Sequence, residues 1–159
     1  MPTLLDYAAL SAIVYNDVRG DANKILPDPP SGWSQVLYTS SDGLTAGAYR
    51  NGNDIVIAFK GSDELGLNKY FLPDWLLTNV QAGLGFGSSQ LVQAALFYEA
   101  VKAVSPGVNI TFTGHSLGGG LAATASGASG LPAQTFNAAG LSGDTLAGLP
   151  LANPDLVKN

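Results

Sequence analysis

Apolar and polar positions alternate along this chain in two rhythms. Residues 3–16 place Leu4, Leu5, Ala8, Ala9, Ala12 and Ile13 at helical spacing, which predicts an opening helix. Thr3 can cap it and Asp6 suits its first turn, the arrangement of a capping box. A loop punctuated by Pro27, Pro29, Pro30 and Gly32 follows. Three strands are expected next, at 36–40, 44–49 and 55–59. The last, Ile-Val-Ile-Ala-Phe, is a continuous apolar run, as a strand covered on both faces requires. Asn51, Gly52 and Asn53 read as the hairpin turn before it.

Residues 63–87 mix aromatics, a proline and three closely spaced glycines, and predict one helix starting near Asp74, then a loop. Residues 88–104 form a strong helical pattern, with Leu91, Ala95, Tyr98 and Val101 or Lys102 along one side, stopped by Pro106 and Gly107. A strand at 108–113, a helix at 116–127 and a strand at 133–137 complete the order. Strands alternating with helices imply parallel pairing through right-handed crossovers. The fold expected is α/β, three-layered, with a mainly parallel sheet that turns antiparallel at its N-terminal edge. No repeat or linker divides residues 1–159, so they read as one domain. The closing stretch, Gly-Asp-Thr-Leu-Ala-Gly-Leu-Pro-Leu-Ala-Asn-Pro-Asp-Leu-Val-Lys-Asn, predicts no closing element.

Composition narrows the chemistry. Hydrophobic residues make up 46% and charged residues 12% of the 159, the profile of a packed core. A net charge of −5 with no basic cluster disfavours nucleic acid and anionic membrane surfaces as partners. The absence of cysteine excludes disulfides and thiolate catalysis. One histidine and scattered carboxylates form no metal cluster, and no cofactor is expected. Gly-Leu-Gly-Phe-Gly-Ser at 83–88 lacks the strand that a dinucleotide loop must follow, and no P-loop pattern is present. The N-terminus has no leading Lys or Arg and does not resemble a signal peptide; no apolar run reaches membrane-spanning length.

The chemistry concentrates in Gly114-His115-Ser116-Leu117-Gly118. Gly-x-Ser-x-Gly between a strand and a helix is a nucleophile elbow. The turn is so sharp that the serine takes a strained backbone conformation, and the residues two before and two after it must be small. Gly119 and Gly120 let the following helix lie close to the sheet. The helix N-terminus adds partial positive charge, and the Leu117 N–H is the expected first oxyanion donor. A small-residue turn that merely packs helix on strand is the bland alternative; the apolar run before and the alanine-rich helix after favour the elbow.

Gly-His-Ser-Leu-Gly-Gly-Gly-Leu-Ala-Ala resembles the nucleophile segment of the class 3, fungal-type lipases of the α/β-hydrolases. Three more stretches agree: Leu-Asp-Tyr-Ala-Ala-Leu-Ser-Ala-Ile-Val-Tyr-Asn-Asp with the family's N-terminal helix, Ile-Val-Ile-Ala-Phe-Lys-Gly-Ser with its strand ending in Arg-Gly-Ser or Arg-Gly-Thr, and Asp-Trp-Leu-Leu-Thr-Asn with the helix after it. The resemblance covers residues 4–142. It implies an ester hydrolase acting on a lipid or other acyl ester, with Ser116 as nucleophile and Ser62 as the second half of the oxyanion hole. It also implies that Phe71, Trp75 and Leu76 line a substrate groove, although the same residues suit ordinary core beneath a loop. Two departures, Lys60 for the usual Arg and Thr-Phe-Asn-Ala-Ala-Gly-Leu-Ser-Gly for the family's Phe-Gly-x-Pro-Arg, put the substrate class in doubt more than the reaction type.

One part is missing. The triad of α/β-hydrolases runs serine, acid, histidine, yet no histidine follows Ser116. His115 precedes it in a sharp turn, where neighbouring side chains diverge, and is expected to brace the elbow rather than act as base. Asp144 and Asp155, the only later acids, read as solvated turn residues. The chain is therefore expected to lack the family's C-terminal part, to be weakly active or inactive alone, and to expose a sheet edge open to self-association or a partner chain. The rival reading is a non-catalytic binding or scaffold protein on a degenerate hydrolase fold, or a subunit completed by another chain.

Overall fold

The computed structural model describes residues 1–15, 29–41, 43–61, 88–138 and 154–159. The helix expected near Asp74 and residue Asp144 lie outside them. Helix α1 (Leu4–Ile13) opens the chain. Strands β1 (Ser34–Ser41), β2 (Leu44–Asn51) and β3 (Asp54–Phe59) follow, then α2 (Ser88–Val104), β4 (Asn109–His115), α3 (Leu117–Ser129), β5 (Ala133–Phe136), a 3-10 turn (Pro154–Leu156) and β6 (Val157–Lys158). The strands form one sheet in sequential order, β1 to β6. β1–β2 and β2–β3 pair antiparallel; β3–β4, β4–β5 and β5–β6 pair parallel.

The sheet is the middle of three layers. Along β3, Ile55, Ile57 and Phe59 point into a core shared with Phe97 and Val101 of α2 and Leu121 of α3. Val56 and Ala58, the alternate positions, point into a second core with Leu10, Ile13 and Val14 at the end of α1, together with Trp33 and Tyr49. The unbroken apolar run at 55–59 thus has a direct cause, since both faces are dry. β4 is asymmetric. Phe112 stacks with Phe59 and meets Tyr98 edge-on in the first core. Thr111 and Thr113 face α1 instead: the Tyr7 hydroxyl donates to Thr111 Oγ1 at 3.1 Å, and Thr113 Oγ1 donates to the Tyr7 carbonyl at 3.3 Å. The capping box at Thr3 and Asp6 forms as the sequence implies.

Three details differ from expectation. Leu4 and Leu5 are exposed, because α1 lays only its C-terminal half on the sheet. The inward face of α2 carries Ala94 and Phe97, while Ala95 is exposed. The closing stretch, expected to hold no closing element, ends in the 3-10 turn and β6, where Ala133 pairs with Val157 and Gln134 with Lys158. Thr135 Oγ1, fully buried, donates to the Lys158 carbonyl at 3.1 Å, which ties the last residues down further. Among the described residues no helix is long and apolar enough to cross a membrane, and none form a group of metal-ligating side chains.

Candidate active site

Parallel register brings three strand ends together, with Phe59 opposite Gly114 and His115 opposite Phe136. Ser116 follows at the end of β4 with φ 56° and ψ −124°, a left-handed conformation that a residue with a Cβ rarely adopts. The conformation is locked from both sides. The Ser116 N–H donates to the Phe136 carbonyl at 3.1 Å, and its C=O accepts the first helical bond of α3 from Gly120 N–H at 3.2 Å. The amides of Leu117, Gly118 and Gly119 precede that first bond, so they belong to the open N-terminal turn of the helix, where partial positive charge gathers.

Glycine is obligatory around this turn. A Cβ on Gly114 would overlap the Gly118 carbonyl and come within 2.8 Å of Gly119 N. A Cβ on Gly118 would overlap the Phe59 carbonyl oxygen and lie 2.9 Å from Gly61 N. The neighbours are backbone and cannot rotate away. The five residues Gly114, His115, Ser116, Leu117 and Gly118 are thus brought into one elbow against the end of β3.

His115 is exposed, the last residue of β4 and in register with the positions of Thr111 and Thr113 that face α1. Among the described residues no hydrogen bond joins it to Ser116. Asp155 is also exposed and lies by the start of β5, beside a cavity of about 1180 Å³ lined by Asp54, Lys102, Asn109 and Ala133. That cavity opens at the N-terminal ends of the strands, the end opposite Ser116. Ser62, Phe71, Trp75 and Leu76 lie outside the described residues, whereas Gly61, just before Ser62, abuts the elbow.

Two features had no role in the sequence. Tyr15 places its phenol oxygen 2.9 Å from Gly61 N, a contact across 46 positions that no local pattern announces. Asn137 follows β5 with φ 44°. It stands where the class 3 pattern has glycine after phenylalanine, and asparagine is among the residues that best tolerate that conformation. The departure in that stretch is therefore conservative for the backbone.

A mixed sheet whose inner parallel strand turns through a positive-φ serine into a helix has the architecture of an α/β-hydrolase. Solved structures agree on the fold. Lipase II from Rhizopus niveus matches with a TM-score of 0.57 at 19% identity, over 85% of this chain and 61% of that one. The lipase from Rhizopus microsporus var. chinensis matches with a TM-score of 0.58 at 19% identity, over 85% and 56%. The chain belongs to the family of Tle-like phospholipase domains, whose model matches residues 6–154. It is 42% identical over 110 residues to an extracellular phospholipase A1 of Serratia liquefaciens, a stretch that is 69% of this chain. The match spans 32% of the length of that relative.

Proposed function

We propose that this domain hydrolyses a carboxylic ester of a lipid, a phospholipid foremost, through Ser116. The observation that carries the reading is the Ser116 backbone, at φ 56° on the C-terminal end of β4. That strain presents Oγ at the mouth of the sheet with an open helix N-terminus beneath it. Ser116 Oγ attacks the ester carbonyl carbon, and the carbonyl oxygen takes up the charge. The Leu117 N–H and Ser62 hold that oxyanion, and α3 adds its N-terminal field. Collapse of this tetrahedral centre breaks the ester C–O bond and the serine proton leaves on the departing alcohol, after which water cleaves the acyl-serine to the carboxylic acid and restores the Ser116 hydroxyl. Phe71, Trp75 and Leu76 contact the acyl chain. The family to which the chain belongs supports the lipid ester over a small one.

The base is not His115. Its exposed place on β4 and the lack of a bond to Ser116 support a bracing role. No histidine follows Ser116 within residues 1–159, and these residues alone turn over slowly or not at all. The same shortage of histidine is what favours the second reading, a scaffold on a hydrolase fold. A panel of p-nitrophenyl esters of rising chain length, with phospholipid vesicles beside it, tests the reaction. Turnover that disappears in Ser116→Ala supports the ester hydrolase, and turnover unchanged in that variant removes it.

A further inference from the structure

Two described residues other than glycine have a positive φ, Ser116 at 56° and Asn137 at 44°. They follow β4 and β5 at the same level, since His115 is in register with Phe136. The two turns are joined. The Ser116 N–H donates to the Phe136 carbonyl at 3.1 Å. On the helix side, a Cβ built on Gly119 would lie 2.9 Å from both Cα and Cβ of Ala138. Residues 136–138 are thus a seat for the elbow: one end holds the serine amide and the other meets the first turn of α3. A turn through φ 44° persists only where its surroundings hold it. The hold comes from the residue after β6. Asn159 Oδ1 accepts the Ala138 N–H at 3.3 Å. The same oxygen lies 3.2 Å from the hydroxyl of buried Thr135, which shares its hydrogen between Asn159 and the Lys158 carbonyl.

Strand pairing does not reach this seat, because β5 ends at Phe136 and its pairing with β6 stops at Gln134 and Lys158. Beyond that point the Asn159 side chain supplies the bond across to residue 138. We infer that Asn159 is a positioning residue for the reaction: by clamping Ala138 to Thr135 it keeps the Phe136 carbonyl on the Ser116 N–H and Ala138 against Gly119, and so holds the serine and the adjoining Leu117 amide in place. This rests on the reading of Ser116 and Leu117 given above. No described hydrogen bond joins Asn159 to either residue, so it acts only through residues 136–138. A nucleophile or donor displaced by a fraction of an ångström still leaves the substrate bound but stabilises the transition state less. The effect belongs in the acylation step and not in binding.

Asn159→Leu keeps the bulk of the side chain and deletes the acceptor, whereas Asn159→Asp keeps an acceptor oxygen in the same place. Two measurements on residues 1–159 decide the matter. In ¹⁵N-labelled protein the Ala138 amide should exchange with solvent about five- to tenfold faster in Asn159→Leu. The Ser116 amide should follow it, while Ile55 and Ile57 at the sheet centre keep their protection. With a fluorophosphonate probe, the maximal rate of Ser116 phosphonylation should fall about 5- to 20-fold, with the probe concentration at half-maximal rate unchanged. Asn159→Asp should restore exchange and rate to within about twofold of the wild type. A merely structural side chain would loosen Ala138 alone, or all amides together, and would leave the maximal rate where it was. Exchange of Ala138 or Ser116 at the wild-type rate in Asn159→Leu, an unchanged maximal rate, or an Asp variant no better than Leu overturns the inference while leaving Ser116 in place. Failure of the wild type to react at Ser116 is a different result: it removes the proposed reaction and this inference with it. If Asn159→Leu does not fold, Asn159→Ala replaces it, with the same changes expected and the same results overturning the inference.

Discussion

Gly118 rests directly on the carbonyl of Phe59, so that a Cβ there would overlap the oxygen and come within 2.8 Å of the carbonyl carbon. This contact ties the helix after the candidate serine to the neighbouring strand. It makes the elbow a joint between two segments distant in sequence, in place of a local turn.

Gly118→Ala must therefore push α3 off β3. Overpacking of this kind costs about 1–3 kcal/mol, and a fixed backbone neighbour puts it at the upper end. Thermal unfolding should show a fall of about 5–10 °C in Tm. Gly127→Ala is the control on the same helix: a Cβ there meets nothing within 4 Å. The gain in helix propensity, about 0.5–1 kcal/mol, should leave that variant at least as stable as the parent.

Ser116 stores strain, and removing its Cβ should release it. Ser116→Gly is expected to stabilise the fold by about 1 kcal/mol, while Ser116→Ala, which keeps the Cβ at φ 56°, should gain nothing. Denaturant titration of the three proteins checks the order. Equal midpoints for Gly and Ala would mean that the backbone at this position is relaxed.

Asp6 gives a pH dependence with a defined sign. Burial raises its pKa, but hydrogen bonds from the Thr3 backbone and hydroxyl and from the Trp33 indole outweigh this and leave it below the usual carboxylate value. A depressed folded pKa contributes stability that is present above the unfolded value of about 3.9 and is lost as the pH falls through the folded one. Asp6→Ala should cost about 1 kcal/mol at neutral pH, and the gap to the parent should narrow once the pH falls below the unfolded value of about 3.9 and close beneath the folded one. Urea unfolding followed by tryptophan fluorescence at several pH values reads it; a gap that does not change with pH would assign the loss to packing.

The parallel half of the fold was legible because its signals are local. Residues 88–104 carry a helical period bounded by Pro106 and Gly107, and α2 spans those residues. The apolar run of β3 and the small residues of the elbow each state their own burial. What stayed hidden depends on where elements land. Leu4 and Leu5 keep helical spacing but overhang the sheet, and Ala94 and Ala95 are interchangeable in a periodic pattern until Phe97 and Val101 fix the phase. β6 is two residues long, too short for any period, and it owes its place to Thr135 and the Lys158 carbonyl. Tyr15 sat in a helix-like stretch with no sign that its hydroxyl would serve Gly61.

The account turns on Ser116 being reactive without help from its neighbour. Removing the base of a serine triad leaves a residual acceleration of about 10³–10⁴ over water, enough for slow but selective acylation. The direct measurement is peptide mapping by mass spectrometry after long incubation of residues 1–159 with a fluorophosphonate. The adduct should sit on Ser116, form at the same slow rate in His115→Ala, and be absent from Ser116→Ala. An adduct lost in His115→Ala would make His115 the base, and no adduct at Ser116 in the parent would leave a scaffold in place of an enzyme.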